Sequence, residues 1–446
     1  MTMSDTRSSG TSVDWREHYE SRMTTTEGVV AQIRSGDQIF IATGHECPPL
    51  VGELIGRAYE LEGVRIRRIS AFWEDYGIYT DEWTPMLKMN VSFGTPSSRA
   101  AIAAGDIDYT VVGFGDMHRH IDQGRAGSAP YDHCWFTVTP PDENGYCNVG
   151  SELWDLKTAM ARSRVKSAGV NRFLPRTFGD TQIHVSEIDN FFIYDEPAAN
   201  RMRRDPEPVA REIAKHISGL VRSGDTIEIG AGTTTFALAD LGAFDDKEDL
   251  GFFSETAAPG ILRLVDRGII TSKYANLHPN KFVTTGLTSL GPEDWAYVDG
   301  NPFFEFHNYD YVLNPAVIAQ NDNMVSINNA LAVDLLGQVA VSSLGPKMIA
   351  GTGGQLGFHT GAFLSKGGRA ITVLPSTTSN GSISRVVAQH PAGQIVNIPW
   401  DLADTVVTEH GVAELLGKSM RERAEALIAI ADPSAREELT RAARRM

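Results

Sequence analysis

Short runs of apolar and β-branched residues recur along the chain, and glycines or polar turns separate them. These runs occupy residues 38–42, 64–70, 109–112, 226–229 and 370–374. Each has the length and composition of a β-strand. Stretches with the helical spacing of apolar residues, such as 209–221 and 421–431, lie between several of the runs. This alternation predicts an α/β fold with largely parallel sheets.

One segment of the sequence occurs twice, 188 residues apart. The letters RSGD stand at residues 34–37 and again at residues 222–225. Both copies are followed at the same spacing by two isoleucines and a glycine, namely Ile39, Ile41 and Gly44, and Ile227, Ile229 and Gly232. Each copy predicts a helix end, a turn, a strand and a glycine loop that opens the next helix. The repeat is either a common turn used twice or the sign of two similar halves that enclose a cleft.

A charged segment with three prolines divides the chain near its middle, at residues 197–208. Such a composition is typical of a connection between domains. The sequence therefore predicts an N-terminal α/β domain at residues 1–196, a linker at residues 197–208 and a C-terminal α/β domain at residues 209–446.

Charge and composition exclude several classes of protein. The chain has 56 Asp and Glu residues against 40 Lys and Arg residues, a formal net charge of −16, which argues against a broad nucleic-acid surface. It has no run of 18 apolar residues, no apolar core of a signal peptide near its start, and only three widely spaced cysteines. We expect a cytoplasmic protein that binds neither nucleic acid nor a membrane.

Two glycine-rich segments are candidates for ligand binding. Residues 351–357 include four glycines, whose backbone N–H groups can approach a phosphate or an oxyanion closely. The spacing is neither that of a P-loop nor that of a dinucleotide-binding loop, and a flexible turn is the alternative interpretation. Residues 230–234 follow a predicted strand and precede a predicted helix, which is where α/β sheets bind ligands.

Few side chains are candidates for catalysis or for metal binding. Glu255 closes a short apolar strand, where a carboxylate can be a nucleophile, a base, a ligand or a helix cap. On a strand His118, His120 and Asp122 would share one face; a metal site is one interpretation of this spacing, and a solvated polar face is the commoner one. The other histidines are scattered; His278 and His307, for example, are 29 residues apart. No metal site is predicted.

Longer motifs resemble those of the acetyl-CoA hydrolase/transferase family, and the similarity extends over roughly residues 19–439. The motifs lie at residues 171–180, 255, 321–328, 333–334, 337–338, 353–355, 365–368, 406–409 and 417–418. The resemblance implies two similar CoA-transferase-type open α/β domains with the active site in the cleft between them. A homo-oligomer is expected for an enzyme of this kind.

The resemblance also implies roles for individual residues. Glu255 matches the glutamate that is acylated in the family, and the backbone N–H of Gly353 or Gly354 would bind the oxyanion. The positions implied to bind CoA are Gly230, Ala231, Gly232, Thr233, Thr234, Asn328 and Lys366. No metal and no tightly bound cofactor are implied, since CoA enters as part of an acyl-CoA substrate and a small carboxylic acid accepts it.

The implied reaction is CoA transfer between an acyl-CoA and a free carboxylic acid, through a mixed anhydride and a glutamyl-CoA thioester. A hydrolase of the same family and a non-catalytic acyl-CoA-binding protein are the alternatives. Five residues depart from the family pattern, namely Glu228 in place of Gln, Phe253 in place of His, Thr256 in place of a hydrophobic residue, Gly357 in place of Asp and Trp400 in place of Arg. The departures at Phe253 and Trp400 lead to the hypothesis of a larger, less polar acyl pocket.

Overall fold

Two large β-sheets with intervening helices form the framework of the protein. The computed structural model describes residues 14–445 except 73, 114, 116–117, 126–127, 199–205, 207, 259 and 288–290. Within each large sheet almost all neighbouring strands are parallel. The prediction of an α/β fold with largely parallel sheets is confirmed.

The first sheet has seven strands, and all of its described pairs are parallel. In spatial order its strands are Asn190–Ile193, Ser163–Val170, Tyr131–Val138, Gln38–Ile41, Val64–Ser70, Leu87–Phe93 and Asp108–Tyr109. Parallel strands are covered on both faces and therefore need apolar side chains on both. Tyr131–Val138 is an example, since seven of its eight residues are buried.

The second sheet has nine strands and takes one of them from the N-terminal half. In spatial order its strands are Gly411–Glu414, Thr405–Thr408, Arg369–Val373, Met324–Asn329, Thr226–Ile229, Gly251–Thr256, Phe282–Gly286, Phe304–Phe306 and Phe178–Gly179. Only Gly411–Glu414 is antiparallel to its neighbour among the described pairs. Phe178–Gly179 pairs with Phe304–Phe306 and so ties the first half of the chain to the edge of this sheet.

Short elements complete the fold. Three small sheets contain Ala332–Asp334, Val339–Ala340 and Val386–Val387, then Ser343–Leu344 and Lys347–Met348, then Tyr146–Asn148 and Gln182–His184. The α-helices are Trp15–Ser21, Thr26–Val30, Pro48–Gly56, Arg99–Ala104, Arg119–Asp122, Leu156–Met160, Ala210–Leu220, Thr233–Ala237, Ile261–Asp266, Pro292–Val298, Tyr309–Val312, Pro315–Ile318, Gln355–Leu364, Met420–Ile430 and Arg436–Ala443, with 3-10 turns at Ala58–Glu60 and Val185–Glu187. Among the described residues, none of these helices has the length and apolarity needed to cross a bilayer.

The repeated RSGD segment forms the same turn in both halves. The Asp37 carboxylate accepts a hydrogen bond from Arg34 N at 2.8 Å, and the Asp225 carboxylate accepts one from Arg222 N at 2.6 Å. The glycine of each copy has a positive φ, 85° and 79°, which glycine adopts without steric cost. Each turn leads directly into a strand of its sheet, so the two copies of the segment have the same local structure.

The two halves also share a hydrophobic core. One cluster of buried side chains runs through both, from Phe40 and Val138 in the first half to Ile227, Phe252 and Val407 in the second. The predicted linker contains residues 199–205 and 207, which lie outside the described residues. The predicted domain boundaries therefore stay a prediction.

Candidate active site

Glu255 lies at the carboxyl edge of the second sheet, near the middle of that edge. It is the fifth residue of the strand Gly251–Thr256, which has the strand Thr226–Ile229 on one side and Phe282–Gly286 on the other. All three strands are parallel, so their carboxyl ends meet at the same edge. This is the edge at which α/β sheets generally bind their ligands.

Two groups hold the Glu255 carboxylate. The Tyr309 hydroxyl donates a hydrogen bond to Oε1 at 3.3 Å, and the backbone N–H of Gly354 acts on the carboxylate as a second donor. A Cβ atom at position 354 would stand 2.1 Å from Glu255 Oε2, so no residue other than glycine fits there without a shift. Gly354 also precedes the helix Gln355–Leu364, whose dipole favours a negative charge at this end.

The glycine-rich loop is fixed from the N-terminal half. Arg99 Nε donates to Ile349 O at 2.8 Å, and the Tyr109 hydroxyl donates to Ala350 O at 3.1 Å. Further along the loop, Gly353 has a φ of +60°, which an L side chain rarely adopts. The loop that meets Glu255 therefore lies between the two halves and is held in place by both.

Burial changes the acidity of Glu255. Side chains from both halves form an apolar cluster around its strand, including Trp154, Phe253 and Leu313. Burial raises the Glu255 pKa to about 7, although the hydrogen bonds from Tyr309 and Gly354 oppose the shift. At neutral pH the side chain is thus poised between acid and carboxylate, and its carboxylate is poorly hydrated.

Another carboxyl group, that of Glu228, is fully buried on the adjacent strand. Its Oε2 accepts hydrogen bonds from Ser326 Oγ at 2.7 Å and from Asn328 Nδ2 at 2.8 Å. Burial raises the Glu228 pKa to about 8, and the nearby charge of Glu255 adds to the shift. Glu228 therefore stays protonated while Glu255 ionises. A protonated glutamate has the shape of the glutamine that the family motif carries at this position.

Glu228 is expected to make folding stability depend on pH. Between pH 4.5 and about 8 the folded chain keeps a proton that the unfolded chain has released, so stability falls as the pH rises through this window. Glu228→Gln removes this dependence and should be more stable than the wild type at pH 8.5 by up to about 3–5 kcal/mol. Denaturant unfolding of both proteins at pH 5 and pH 8.5 measures the difference. An equal gap at the two pH values would contradict the prediction.

The predicted CoA loop lies beside this carboxyl pair. A Cβ on Gly230 would stand 1.8 Å from Asn328 Oδ1, and one on Gly232 would stand 2.2 Å from Asn329 Nδ2. A side chain at either position would therefore force the asparagine side chains of the neighbouring strand to shift. Ala231 and Thr233 are exposed, whereas Thr234 is buried. The structure thus brings Gly230, Gly232 and Asn328 to the edge that carries Glu255.

Lys366 is the predicted site residue that the structure does not bring to this edge. Its Nζ lies 3.6 Å from Asp322 Oδ2, and its backbone O accepts from Asn323 N, just before the strand Met324–Asn329 begins. Asn328 lies at the other end of that strand, about 15 Å away at 3.3 Å per residue. The helix Gln355–Leu364 has carried the chain back to the amino edge before Lys366 is reached.

The aromatic departures from the family pattern lie in different environments. Phe253 is 1% exposed and packs near the ring of Tyr311, with a centroid distance of 6.2 Å. Trp400 is 49% exposed. At Gly357 a Cβ would stand 2.9 Å from Leu313 O, so close packing accounts for this glycine. Phe253 therefore fills space beneath the edge that carries Glu255, and the hypothesis of a larger acyl pocket stays untested.

The expectation that His118, His120 and Asp122 lie on one strand is wrong. Asp122 belongs to the short helix Arg119–Asp122 and binds Arg162, with Nε to Oδ1 at 2.7 Å. His118 is buried and contacts Tyr131 and Asp155 instead. The period-two spacing predicts a strand, but residues 119–122 form a short helix instead.

Three other residues form a cluster that the sequence analysis missed. Potential ligand atoms of His278, Glu305 and His307 all lie within 4.8 Å of one another. The two histidines are distant in the sequence because the strand Phe282–Gly286 and the helix Pro292–Val298 lie between them. The sequence does place these residues next to strand-like runs. His307 directly follows the run FFEF, which contains Glu305, and His278 precedes the run FVTTG.

The chain matches two domain models of one family, and it matches known proteins over almost its whole length. The model of the acetyl-CoA hydrolase/transferase N-terminal domain matches residues 1–200, and that of the C-terminal domain matches residues 292–443. The chain is 36% identical over 430 residues to 4-hydroxybutyrate coenzyme A transferase of Clostridium kluyveri, covering 96% of this chain and 98% of that protein. It is 35% identical to succinyl-CoA:cyclohexane-1-carboxylate CoA transferase of Geobacter metallireducens, covering 97% of each.

Solved structures agree with the sequence matches. The crystal structure of RipA from Yersinia pestis superimposes with a TM-score of 0.88 at 31% identity, over 97% of this chain and 99% of that one. The 4-hydroxybutyrate CoA-transferase of Porphyromonas gingivalis superimposes with a TM-score of 0.80 at 30% identity, over 97% of this chain and 100% of that one. The chain belongs to the acetyl-CoA hydrolase/transferase family, as its motifs predicted.

Proposed function

We propose that the protein is an acyl-CoA:carboxylate CoA-transferase in which Glu255 carries the acyl group and then CoA. The observation that supports this most is the half-buried Glu255 carboxylate, held against the N–H of Gly354 at the carboxyl edge of the sheet. Full-length relatives at 28–36% identity are named as CoA transferases. A half-buried carboxylate that faces a backbone donor suits a nucleophile better than a helix cap.

The proposed reaction conserves one thioester and needs no outside energy source. The Glu255 carboxylate attacks the acyl-CoA carbonyl, and the C–S bond breaks to give a mixed anhydride and CoA thiolate. The thiolate attacks the glutamyl carbonyl and releases the first acid as its carboxylate, which leaves a glutamyl-CoA thioester. A second carboxylate then reverses both steps and leaves as the new acyl-CoA. Each half of the exchange therefore proceeds in two easier steps, in place of one difficult direct transfer.

The environment of Glu255 suits this role in two ways. A poorly hydrated carboxylate with a pKa near 7 is more nucleophilic than one in water. Each attack on a carbonyl creates an oxyanion, and the backbone N–H of Gly353 or Gly354 is the proposed donor for it. The apolar side chains around the strand exclude water, which would otherwise hydrolyse the anhydride.

The pH dependence of turnover follows from the two carboxyl groups. Because only the ionised form of Glu255 attacks, kcat/KM should fall about tenfold per pH unit below the Glu255 pKa of about 7. Above pH 8 the wild type should decline again as Glu228 ionises, whereas Glu228→Gln should stay level and remain within about threefold of the wild type at pH 7. A pH profile of both proteins tests this; identical alkaline limbs would contradict it.

The proposed function is tested with butyryl-CoA and ¹³C-labelled acetate. A transferase forms labelled acetyl-CoA and butyrate, and releases almost no free CoA whether or not acetate is present. Release of CoA at the same rate without acetate would indicate a hydrolase. Binding of butyryl-CoA with neither release nor exchange, repeated across a panel of acids, would indicate a binding protein. Mass spectrometry of the CoA esters distinguishes these outcomes.

A further inference from the structure

The cluster of His278, Glu305 and His307 lies at the edge of the second sheet, apart from the proposed active site. His278 Nδ1 lies 2.8 Å and His307 Nε2 lies 3.3 Å from the same oxygen of Glu305, Oε2. The three side chains are 13–24% exposed, so an ion from solvent can reach them while most of the cluster is screened from water. Two imidazole nitrogens and one carboxylate oxygen therefore lie within 4.8 Å of one another.

Each histidine is oriented by a hydrogen bond at its other ring nitrogen. His307 Nδ1 lies 3.2 Å from Asp180 Oδ2, and His278 Nε2 lies 2.8 Å from the Tyr311 hydroxyl. Histidines that bind metals typically engage a carboxylate or another polar group at the nitrogen that does not face the metal. The outer partners thus point Nδ1 of His278 and Nε2 of His307 inward, as a metal site requires.

Glu305 is arranged in the same way. Its second oxygen, Oε1, is bound by Lys281 Nζ at 3.3 Å, and this leaves Oε2 turned toward the two histidines. The ammonium group neutralises the oxygen that faces away from the cluster, so Oε2 can serve as a single, oriented ligand atom. All three candidate ligand atoms therefore have a supporting contact behind them.

The distances suit a tetrahedral ion. Zinc binds histidine nitrogen and carboxylate oxygen at about 2.0–2.1 Å, which places neighbouring ligand atoms of a tetrahedron about 3.3 Å apart. The separation of Glu305 Oε2 and His307 Nε2 already equals this value, and His278 needs to move outward by about 0.5 Å. Two imidazoles and one carboxylate match the donor set of divalent zinc-type ions.

We propose that His278, Glu305 and His307 bind one divalent transition-metal ion of the zinc type, with a solvent molecule as fourth ligand. The site is structural. It joins Asp180, which follows the edge strand Phe178–Gly179, to the short helix that carries both Tyr311 and Tyr309. Since Tyr309 donates to Glu255, the ion braces the element that positions the proposed nucleophile.

Cobalt titration of the full chain tests the proposal. The protein is purified without a histidine tag, stripped with EDTA and titrated with Co²⁺, whose visible ligand-field bands report coordination by nitrogen and oxygen. We expect saturation at one equivalent per chain, and loss of the bands when one equivalent of Zn²⁺ is added. The absence of a saturable band up to ten equivalents would overturn the proposal without any variant.

Variants identify the ligands. His278→Ala and His307→Ala should each weaken Co²⁺ binding at least a hundredfold, and Asp180→Asn should weaken it about 10- to 100-fold through His307. His216→Ala, in the helix Ala210–Leu220, is the matched control and should bind as the wild type does. Wild-type affinity in both ligand variants, or an equal loss in His216→Ala, would overturn the assignment. Circular dichroism checks that each variant is folded. If a ligand variant does not fold, the titrations of Asp180→Asn and of the wild type decide whether the proposal holds.

Discussion

Glu255→Gln is expected to lower the rate of CoA transfer by three orders of magnitude or more, while acyl-CoA binding stays within a few fold. The amide keeps the size of the side chain and its contact with Tyr309 but cannot form the mixed anhydride. Loss of a covalent nucleophile commonly removes most of the catalytic rate, whereas binding contacts elsewhere remain. The measurement is kcat by exchange of label from acetate, with the affinity for butyryl-CoA determined by calorimetry.

A matched control lies in the same sheet. Glu414 is exposed on the edge strand Gly411–Glu414, so Glu414→Gln should leave both rate and affinity unchanged. Borohydride reduction during turnover gives an independent reading, because it should modify wild-type Glu255 and leave the Gln variant unlabelled. A variant at position 255 that keeps a tenth of the wild-type rate would rule out the covalent route.

Gly354→Ala is expected to lower kcat at least a hundredfold. The added Cβ would stand 2.1 Å from Glu255 Oε2 and 3.2 Å from Leu313, so either the carboxylate or the loop must move. A displaced loop no longer directs its N–H groups at the developing oxyanion, and one such donor is typically worth about a hundredfold or more in rate. Steady-state kinetics at saturating butyryl-CoA and acetate measure the effect.

Gly219→Ala is the control for the Gly354 substitution. Gly219 lies in the helix Ala210–Leu220 with no atom within 4 Å of an added Cβ. Alanine should therefore leave kcat unchanged and raise the free energy of unfolding by about 0.5–1 kcal/mol through helix propensity. If Gly354→Ala stays within threefold of the wild type, the loop does not contribute the proposed oxyanion contact.

Features that depend on local sequence could be predicted. The strand Gly251–Thr256 is a short apolar run, and the RSGD turn needs only an aspartate, a glycine and their neighbours. Glu255 follows from its place at a strand end together with the family motif. Each of these signals is contained within about ten consecutive residues, where period and turn chemistry are informative.

Features that depend on pairing between distant segments could not be predicted. Nothing in the residues around Phe178–Gly179 indicates which sheet they join, and the histidine cluster forms only once that edge is in place. Lys366 is a second example. The motif gives its position in the sequence but does not determine the sheet edge on which it lies. The buried state of Glu228 likewise depends on the neighbouring strand, which supplies Ser326.

The crossing of Phe178–Gly179 into the second sheet means that the two halves are not separable modules. A fragment beginning at residue 209 would keep the pairing of Phe304–Phe306 with Phe282–Gly286 but lose the outer partner strand, and an unpaired edge of this kind invites aggregation. Arg176 adds to the attachment, since its backbone O accepts from Gly300 N and its own N donates to Asp299. A chain cut between residues 198 and 208 would therefore stay assembled, and both halves should melt in one cooperative transition.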